Sequence, residues 1–386
     1  MVLKLMTPQF LLVFPNMFGF KGGIQVYSAF LLQALQQLYP ECQYHVLLKY
    51  DRKIPPSHDF LPQTRFWGFG RFPRWMQSLL LALILLQLSL QKRPQLMICT
   101  HVNYSVVFHW IKRWLGIPYW VVAHGTEVWD IAEIGLQRAL CHADRVVAVS
   151  QYTRSRLLLE QKLKPAQVVV LPNTFDHRRF EIKPKPKYLL ERYGLSPEQP
   201  VILTVSRLGR SARYKGYGIL LDALVLLRPK IPNLHYVLVG KGDDRPWIEA
   251  KIETLNLSSS VTLTGLIPDE ELCDHYNLCD VFALPSKGEG FGIVYLEAMA
   301  CGKPVLGGNQ DGAIDPLAGG EWGSLVDPED VEAIAHTLYK ILQKKYPNPR
   351  FYEPESLRNY VIQTYSTDRF VHQLNRLLSQ QALPRL

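Results

Sequence analysis

Residues 284–308 read LPSKGEGFGIVYLEAMACGKPVLGG. The apolar run leading into them, 280–284, has the length and composition of a buried strand, and 285–290 is a glycine-bearing loop that holds one acid, Glu289. A helix is expected over 291–300. There Val294, Leu296, Ala298 and Met299 can face a core, Gly302 suits the helix stop, and 304–306 opens another strand. A strand, loop, helix, strand unit of this kind presents the backbone N–H groups of Gly290, Phe291 and Gly292 at the positive end of a helix, where a phosphate is readily held. Glu289 sits at the mouth of the loop. Glu297 follows eight residues later, roughly 9–12 Å along a helix axis at about 1.5 Å per residue, so the two acids can touch opposite ends of one elongated ligand. On spacing alone, a solvated loop acid and a surface helix acid account for the pair equally well.

The same alternation extends in both directions. Upstream, 10–14 reads as a first strand, 16–23 as a loop with Gly19, Gly22 and Gly23, and 24–38 as an amphipathic helix. Gly22 and Gly23 therefore stand at a second helix N-terminus where a backbone can approach phosphate. Strands are expected at 44–50, 96–100, 119–123, 145–149 and 168–171, with 51–74 as a connection and Ser150 capping a helix. Residues 176–199, rich in proline and charge, read as a linker region. A fresh series begins at Val201: strand, loop with Arg207 and Lys215, leucine-rich helix, strand HYVLVGKG, helix, strand VTLTG and helix, up to the opening stretch. A chain of 386 residues is too long for one core. The economical reading is α/β, with two Rossmann-like doubly wound domains facing across a cleft, bounded at 1–180 and 181–365.

Charge and cysteine usage narrow the classes. The net charge is +9, and the basicity belongs to the first half: residues 1–180 hold 20 Lys and Arg against 9 Asp and Glu, while 181–386 hold 23 against 25. A one-sided positive field suits an acidic partner such as an anionic membrane surface. Six scattered cysteines without a C-x-x-C spacing fit a reducing compartment, and the first fifteen residues make a better strand than signal peptide. The leucine-rich run 75–90 is short for a bilayer span, which points to a buried helix, or to an interfacial one flanked by Arg71, Arg74, Lys92 and Arg93. The expected location is cytoplasmic, with peripheral attachment at the inner face of a membrane as the further possibility. A nucleic-acid-binding reading lacks zinc spacings, an aromatic RNA motif or a clean basic helix. VGKGDD lacks the third glycine and the distal acid of a dinucleotide fingerprint, so NAD is excluded.

The arrangement EGFGIVYLE followed by AMACGKPV resembles the donor-sugar motif of the family 4 retaining glycosyltransferases, which have a GT-B fold. The motif fixes both acids, the glycine between them, the helix and the exit, and the rest of the chain carries further matches over residues 19–308. Gly22 and Gly23 resemble the family's first glycine loop. His124, at the end of the strand 119–123, matches a histidine that such enzymes put beside the donor sugar, and Glu127 follows in the same turn. The resemblance implies that Arg207 and Lys215 hold the diphosphate, although the family's interval between them is often shorter, so Arg210 and Arg213 compete for that role. It assigns Glu289 to the sugar hydroxyls and Glu297 to the ribose, and it brings the loops at Gly242 and Ile267 to the nucleoside base. Its last helix, here within 366–386, crosses back to the N-terminal domain, which takes the acceptor side. Two fixed cations and loop amides stabilise a departing diphosphate without a metal. No Asp-x-Asp pair is present, and neither metal nor cofactor is expected. The implied reaction moves a sugar from a UDP-, GDP- or ADP-sugar to a glycan or lipid-linked acceptor, as in cell-surface polysaccharide or glycolipid synthesis. A nucleotide-sugar epimerase of the same fold is the alternative.

Overall fold

The computed structural model describes residues 8–19, 22–56 and 59–381. The chain divides into two compact units, the first running to Thr174 and resuming at Thr367, the second spanning Phe175–Ser366. The division falls at 174/175, a few residues before the expected 180/181. The cause is that Phe175 and Phe180 bury their rings with Tyr276 in the second unit, so the chain has already joined that core.

In the first unit the strands are β1 (Gln9–Phe14), β2 (Gln43–Leu48), β3 (Thr64–Gly68), β4 (Leu96–Cys99), β5 (Tyr119–Ala123), β6 (Arg145–Ala148) and β7 (Val168–Val170). They form one parallel sheet in the order β3-β2-β1-β4-β5-β6-β7. Helices α1 (Gly23–Leu38), α2 (Arg74–Lys92), α3 (Ser105–Leu115), α4 (Ile134–His142) and α5 (Gln151–Glu160) connect them. Every residue of β1 and of β5 is buried, because helices cover the sheet and its central strands meet apolar neighbours on both faces. Leu11, Val13, Met97 and Val121 meet Leu81 and Leu85 of α2 and Phe108 of α3 in this core. Ser150 caps α5 as expected, its hydroxyl accepting from the Thr153 N–H at 2.9 Å. The connection 51–74 is not plain loop, since β3 lies within it. Its burial alternates along TRFWG, with Arg65 and Trp67 outward, as an edge strand allows.

The second unit begins with α6 (Lys187–Tyr193), a helix inside the segment read as linker. Its strands are β8 (Val201–Val205), β9 (His235–Val239), β10 (Val261–Gly265), β11 (Val281–Leu284), β12 (Val305–Gly308) and β13 (Ser324–Val326). They too are all parallel, in the order β10-β9-β8-β11-β12-β13. The accompanying helices are α7 (Tyr217–Leu227), α8 (Arg245–Thr254), α9 (Leu272–Leu278), α10 (Ile293–Ala300), α11 (Val331–Leu342) and α12 (Pro354–Tyr365). The chain then returns to the first unit as α13 (Thr367–Ser379), which buries Phe370, Leu374 and Leu378 and sets the Phe370 ring edge-on to Tyr27 of α1 at 5.5 Å. Residues 382–386 of the expected last helix lie outside the described residues. In both sheets the strand order reverses beside the first strand of the unit, between β1 and β4 and between β8 and β11. Open α/β sheets bind ligands at the carboxyl ends of the strands flanking such a reversal.

Candidate functional site

In the second unit the reversal brings together the loops after β8 and β11. After β8 the chain passes Arg207, makes a 3-10 turn over Arg210–Lys215 and enters α7 through Gly216. After β11 it runs through 285–292 and enters α10 at Gly292, whose φ of 88° only glycine adopts readily. The two loops are fastened to each other: the Lys287 N–H donates to the Tyr214 carbonyl at 2.9 Å, and a Cβ on Gly216 would stand 2.2 Å from the Pro285 carbonyl oxygen. Across this seam the Lys215 ammonium pairs with the Glu289 carboxylate, both side chains being mostly buried. Burial pushes the Lys215 ammonium down, but Glu289 and Tyr214 outweigh it and the net shift is upward, so the cation is secure at neutral pH. Arg207 lies close enough to act on Lys215 electrostatically. It is exposed, and its guanidinium makes no hydrogen bond or ion pair among the described residues.

Of the two competing cations, one is engaged elsewhere. Arg213 is committed to Asp244, with Nη2 to Oδ1 at 2.6 Å and Nε to Oδ2 at 2.8 Å, and its guanidinium stacks on Trp247 at 4.1 Å. Asp244 is fully buried and also accepts from the Tyr217 hydroxyl at 2.8 Å. Arg213 is thus a structural cation. Arg210 is exposed, and its backbone N–H is fixed by Asp243 at 2.9 Å.

The residue that motif reading missed is Asp311, in the loop after β12. It is fully buried, and its Oδ2 accepts from the Glu289 N–H at 2.7 Å and from the Ser286 hydroxyl at 2.6 Å, while Oδ1 accepts from the Ala313 N–H at 2.9 Å. Burial raises its carboxyl to about 6 against the pull of those donors. Gly312 closes the same contact, its N–H donating to the Glu289 carbonyl at 2.8 Å, with no room for a Cβ beside the Gly290 carbonyl. Asp311 therefore sets where Glu289 stands.

Glu297, further along α10, accepts from the Tyr276 hydroxyl of α9 at 2.7 Å. Burial raises its carboxyl, and that hydrogen bond and the Arg179 charge work against the rise. Phe291 offers no side chain to a ligand: it is buried edge-on to Tyr365 at 5.4 Å, which leaves its backbone. Gly242 has an internal reason to be glycine, since a Cβ there would lie 1.8 Å from the Leu208 carbonyl oxygen. Ile267 is half-buried just after β10, beside the exposed Leu266.

In the first unit, Gly22, Gly23 and His124 stand at the carboxyl ends of β1 and β5. Gly22 caps α1 in an extended conformation, and among the described residues a Cβ on Gly23 would meet nothing within 4 Å. The preceding loop is ordered by Asp51, which is buried and accepts from the Met17 and Gly19 N–H groups at 2.6 Å each. Phe20 and Lys21 of that loop lie outside the described residues. The Glu127 carboxylate accepts from the His124 N–H through Oε1. His124 itself packs edge-on to Tyr27 at 5.0 Å, and its Nε2 is buried without a hydrogen bond among the described residues. Burial, with a contribution from His101, lowers its pKa to about 3, so the imidazole is neutral at physiological pH.

Two family models account for most of this chain. Glycosyltransferase Family 4 matches residues 21–179, and Glycosyl transferases group 1 matches residues 189–360. The chain is a group 1 glycosyltransferase family member. This family member is 37% identical over 232 residues, 57% of its own length, to the GDP-mannose-dependent alpha-(1-6)-phosphatidylinositol monomannoside mannosyltransferase of Mycolicibacterium smegmatis. That match covers 59% of the relative, so the chain spans about three fifths of the length of the curated relatives it matches. It is 29% identical over 207 residues to the mannosylfructose-phosphate synthase of Agrobacterium fabrum, covering 51% of this chain and 44% of that one. Among solved structures, sucrose-phosphate synthase from Thermosynechococcus elongatus aligns with a TM-score of 0.81 at 22% identity, over 97% of this chain and 98% of the other. Anabaena Alr3699/HepE in complex with UDP aligns with a TM-score of 0.78 at 19% identity, over 97% and 100%. At such identities the likeness concerns the fold, which is GT-B: two parallel-sheet α/β domains. These matches lend the epimerase alternative no support.

Proposed function

We propose that the chain transfers a glycosyl residue from a nucleotide sugar to an acceptor hydroxyl, with retention at the anomeric carbon and without a metal. The observation that carries this reading is the Lys215–Glu289 pair beside the unpartnered Arg207, at the reversal point of the second sheet. In a nucleotide sugar the sugar is bonded directly to a phosphate, so one side of the site must hold hydroxyls while the other holds anionic oxygen. An acid and a base in contact meet that demand. The Lys215 ammonium has three donors, enough to serve Glu289 and a phosphate together, and Arg207 adds a second cation as the C1–O bond breaks and charge gathers on the diphosphate. Glu289 then bonds the sugar hydroxyls, and Glu297, with one oxygen taken by Tyr276, bonds the ribose. His124 offers a neutral imidazole nitrogen to the sugar, once the ring or its cover moves to expose Nε2.

The Mycolicibacterium relative is named for GDP-mannose as donor and a phosphatidylinositol monomannoside as acceptor, which favours a GDP-sugar and a lipid-linked or glycan acceptor. A cytoplasmic setting suits such donors. Screening UDP-, GDP- and ADP-sugars for thermal stabilisation and then for transfer, with and without EDTA, tests the reading. Turnover lost in EDTA and restored by magnesium or manganese overturns the metal-free mechanism. Glu289→Gln is expected to keep nucleotide affinity and lose turnover, because it alters contacts nearest the reacting carbon. Glu297→Gln should instead weaken nucleoside diphosphate binding by roughly 10- to 150-fold, the worth of a charge-assisted hydrogen bond. Normal turnover of Glu289→Gln at saturating donor would sink the assignment.

A further inference from the structure

Helix α2 carries two apolar stripes where a helix lying on a sheet needs one. Leu81, Leu85 and Leu88 are buried in the core of the first unit. On other faces of the helix Trp75, Leu79, Leu83 and Leu90 are 71%, 53%, 54% and 51% exposed. Helix α3 continues the exposed surface. Its Trp110 and Trp114, 44% and 64% exposed, lie 5.8 Å apart, and a groove of about 450 Å³ runs between them and Leu79, Leu83 and Leu86 of α2. A contiguous apolar surface of this kind marks an interaction site, not a solvated face.

The charges around it say what covers it. Neither α2 nor α3 contains an acidic residue. Arg71, Arg74 and Arg93 are exposed at the two ends of α2, with Lys92 beside them, and Arg113 is exposed in the last turn of α3; the adjacent Lys112 is paired with Asp144 at 2.8 Å. A second copy of the chain on the same face would bring these cations against their own kind, since a two-fold contact repeats one surface on both partners. A bilayer with anionic headgroups has no such conflict. It takes leucines at the acyl boundary, tryptophans at headgroup depth and basic side chains against the phosphates. Among the described residues α2 is the one helix long and apolar enough to cross a membrane, but Leu81, Leu85 and Leu88 hold it along the sheet.

We propose that the α2–α3 face seats this unit on an anionic lipid surface, with Trp75, Trp110 and Trp114 as interfacial anchors and Leu79 and Leu83 inserted beneath them. The inference stands apart from the transferase reading, for it uses none of the candidate site residues. The full chain would be cosedimented with vesicles of phosphatidylcholine alone and with vesicles containing roughly 30% phosphatidylglycerol, with brominated lipids as quenchers of tryptophan fluorescence. The expected result is binding to the anionic vesicles about 10-fold or more tighter than to the neutral ones, weakened by salt and accompanied by quenching. Leu83→Glu and Trp114→Glu, both at exposed positions, should abolish it while melting temperature and nucleoside diphosphate binding stay unchanged. Equal binding to the two vesicles, or none to either, overturns the proposal. So does a dimer in sedimentation velocity that Leu83→Glu dissolves, since the face then belongs to a second copy.

Discussion

His124 shows how a single burial sets chemistry and stability together. Its pKa is lowered to about 3 by burial first and by His101 second, whereas the unfolded chain titrates near 6.5. The sign follows: below 6.5 the unfolded state takes a proton that the folded state refuses, so stability is whole above that pH and is lost progressively as pH falls toward 3. The loss is on the order of a few kcal/mol at most. His45, His101, His235 and His275 are lowered by burial too, so thermal melts from pH 7 to pH 4 should show a slope that His124→Asn, which cannot titrate, makes shallower without abolishing it; an unchanged slope refutes the account. That Arg207, Lys215 and Glu289 belong to loops after two recognisable strands was legible in the sequence, and the structure brings those three together. Asp51 and Asp311 were not legible there. Their partners lie 32 to 34 and 22 to 25 residues away for the bonds to Met17, Gly19, Glu289 and Ser286, and no local pattern marks an aspartate that orders a distant loop.

Among the elements, the seam between the 3-10 turn at Arg210–Lys215 and the loop after β11 decides whether the acid and base of the site meet. Gly216 makes the seam possible, with φ of 82° and no space for a Cβ against Pro285. Gly216→Ala should cost about 1–3 kcal/mol in backbone strain and push Lys215 away from Glu289. The expected outcome is a lower melting temperature together with weaker nucleoside diphosphate binding, measured by calorimetry and titration. A drop in melting temperature alone would mean that the loop re-closes. The long central strands and the helices α1, α7 and α10 could be read from apolar runs and their periodicity. β3 could not, because TRFWG is short and its outward positions mix Arg65 with Trp67, which leaves no clean polar–apolar alternation. α6 was hidden by its prolines, although Pro186 before it and Gly194 after it, at φ of 64°, are ordinary helix punctuation. The leucine run on α2 was ambiguous for a physical reason: it is core along one stripe and exposed along another.

For the molecule as a whole, the sequence's division of basic and near-neutral halves maps onto two units, but the chain does not simply finish one before starting the other. It leaves the first unit after Thr174 and comes back at Thr367, and Phe175 and Ser366 lie side by side in a parallel bridge. The second unit is therefore a loop whose ends already meet, and residues 175–366 should fold alone with a cooperative melt. Residues 1–174 should not match this, being short of α13, and should gain a cooperative melt when 367–381 are joined on through a short linker. If 1–174 melts cooperatively without them, α13 is an accessory to that core. The return of α13 to α1 also fixes an order of events in synthesis. Tyr27 emerges from the ribosome before the second unit is begun, yet its partner Phe370 emerges only after that unit has been made. Domains commonly complete in the order in which they are made. Here the unit translated first must wait, with one side of α1 uncovered, until the unit translated second is finished.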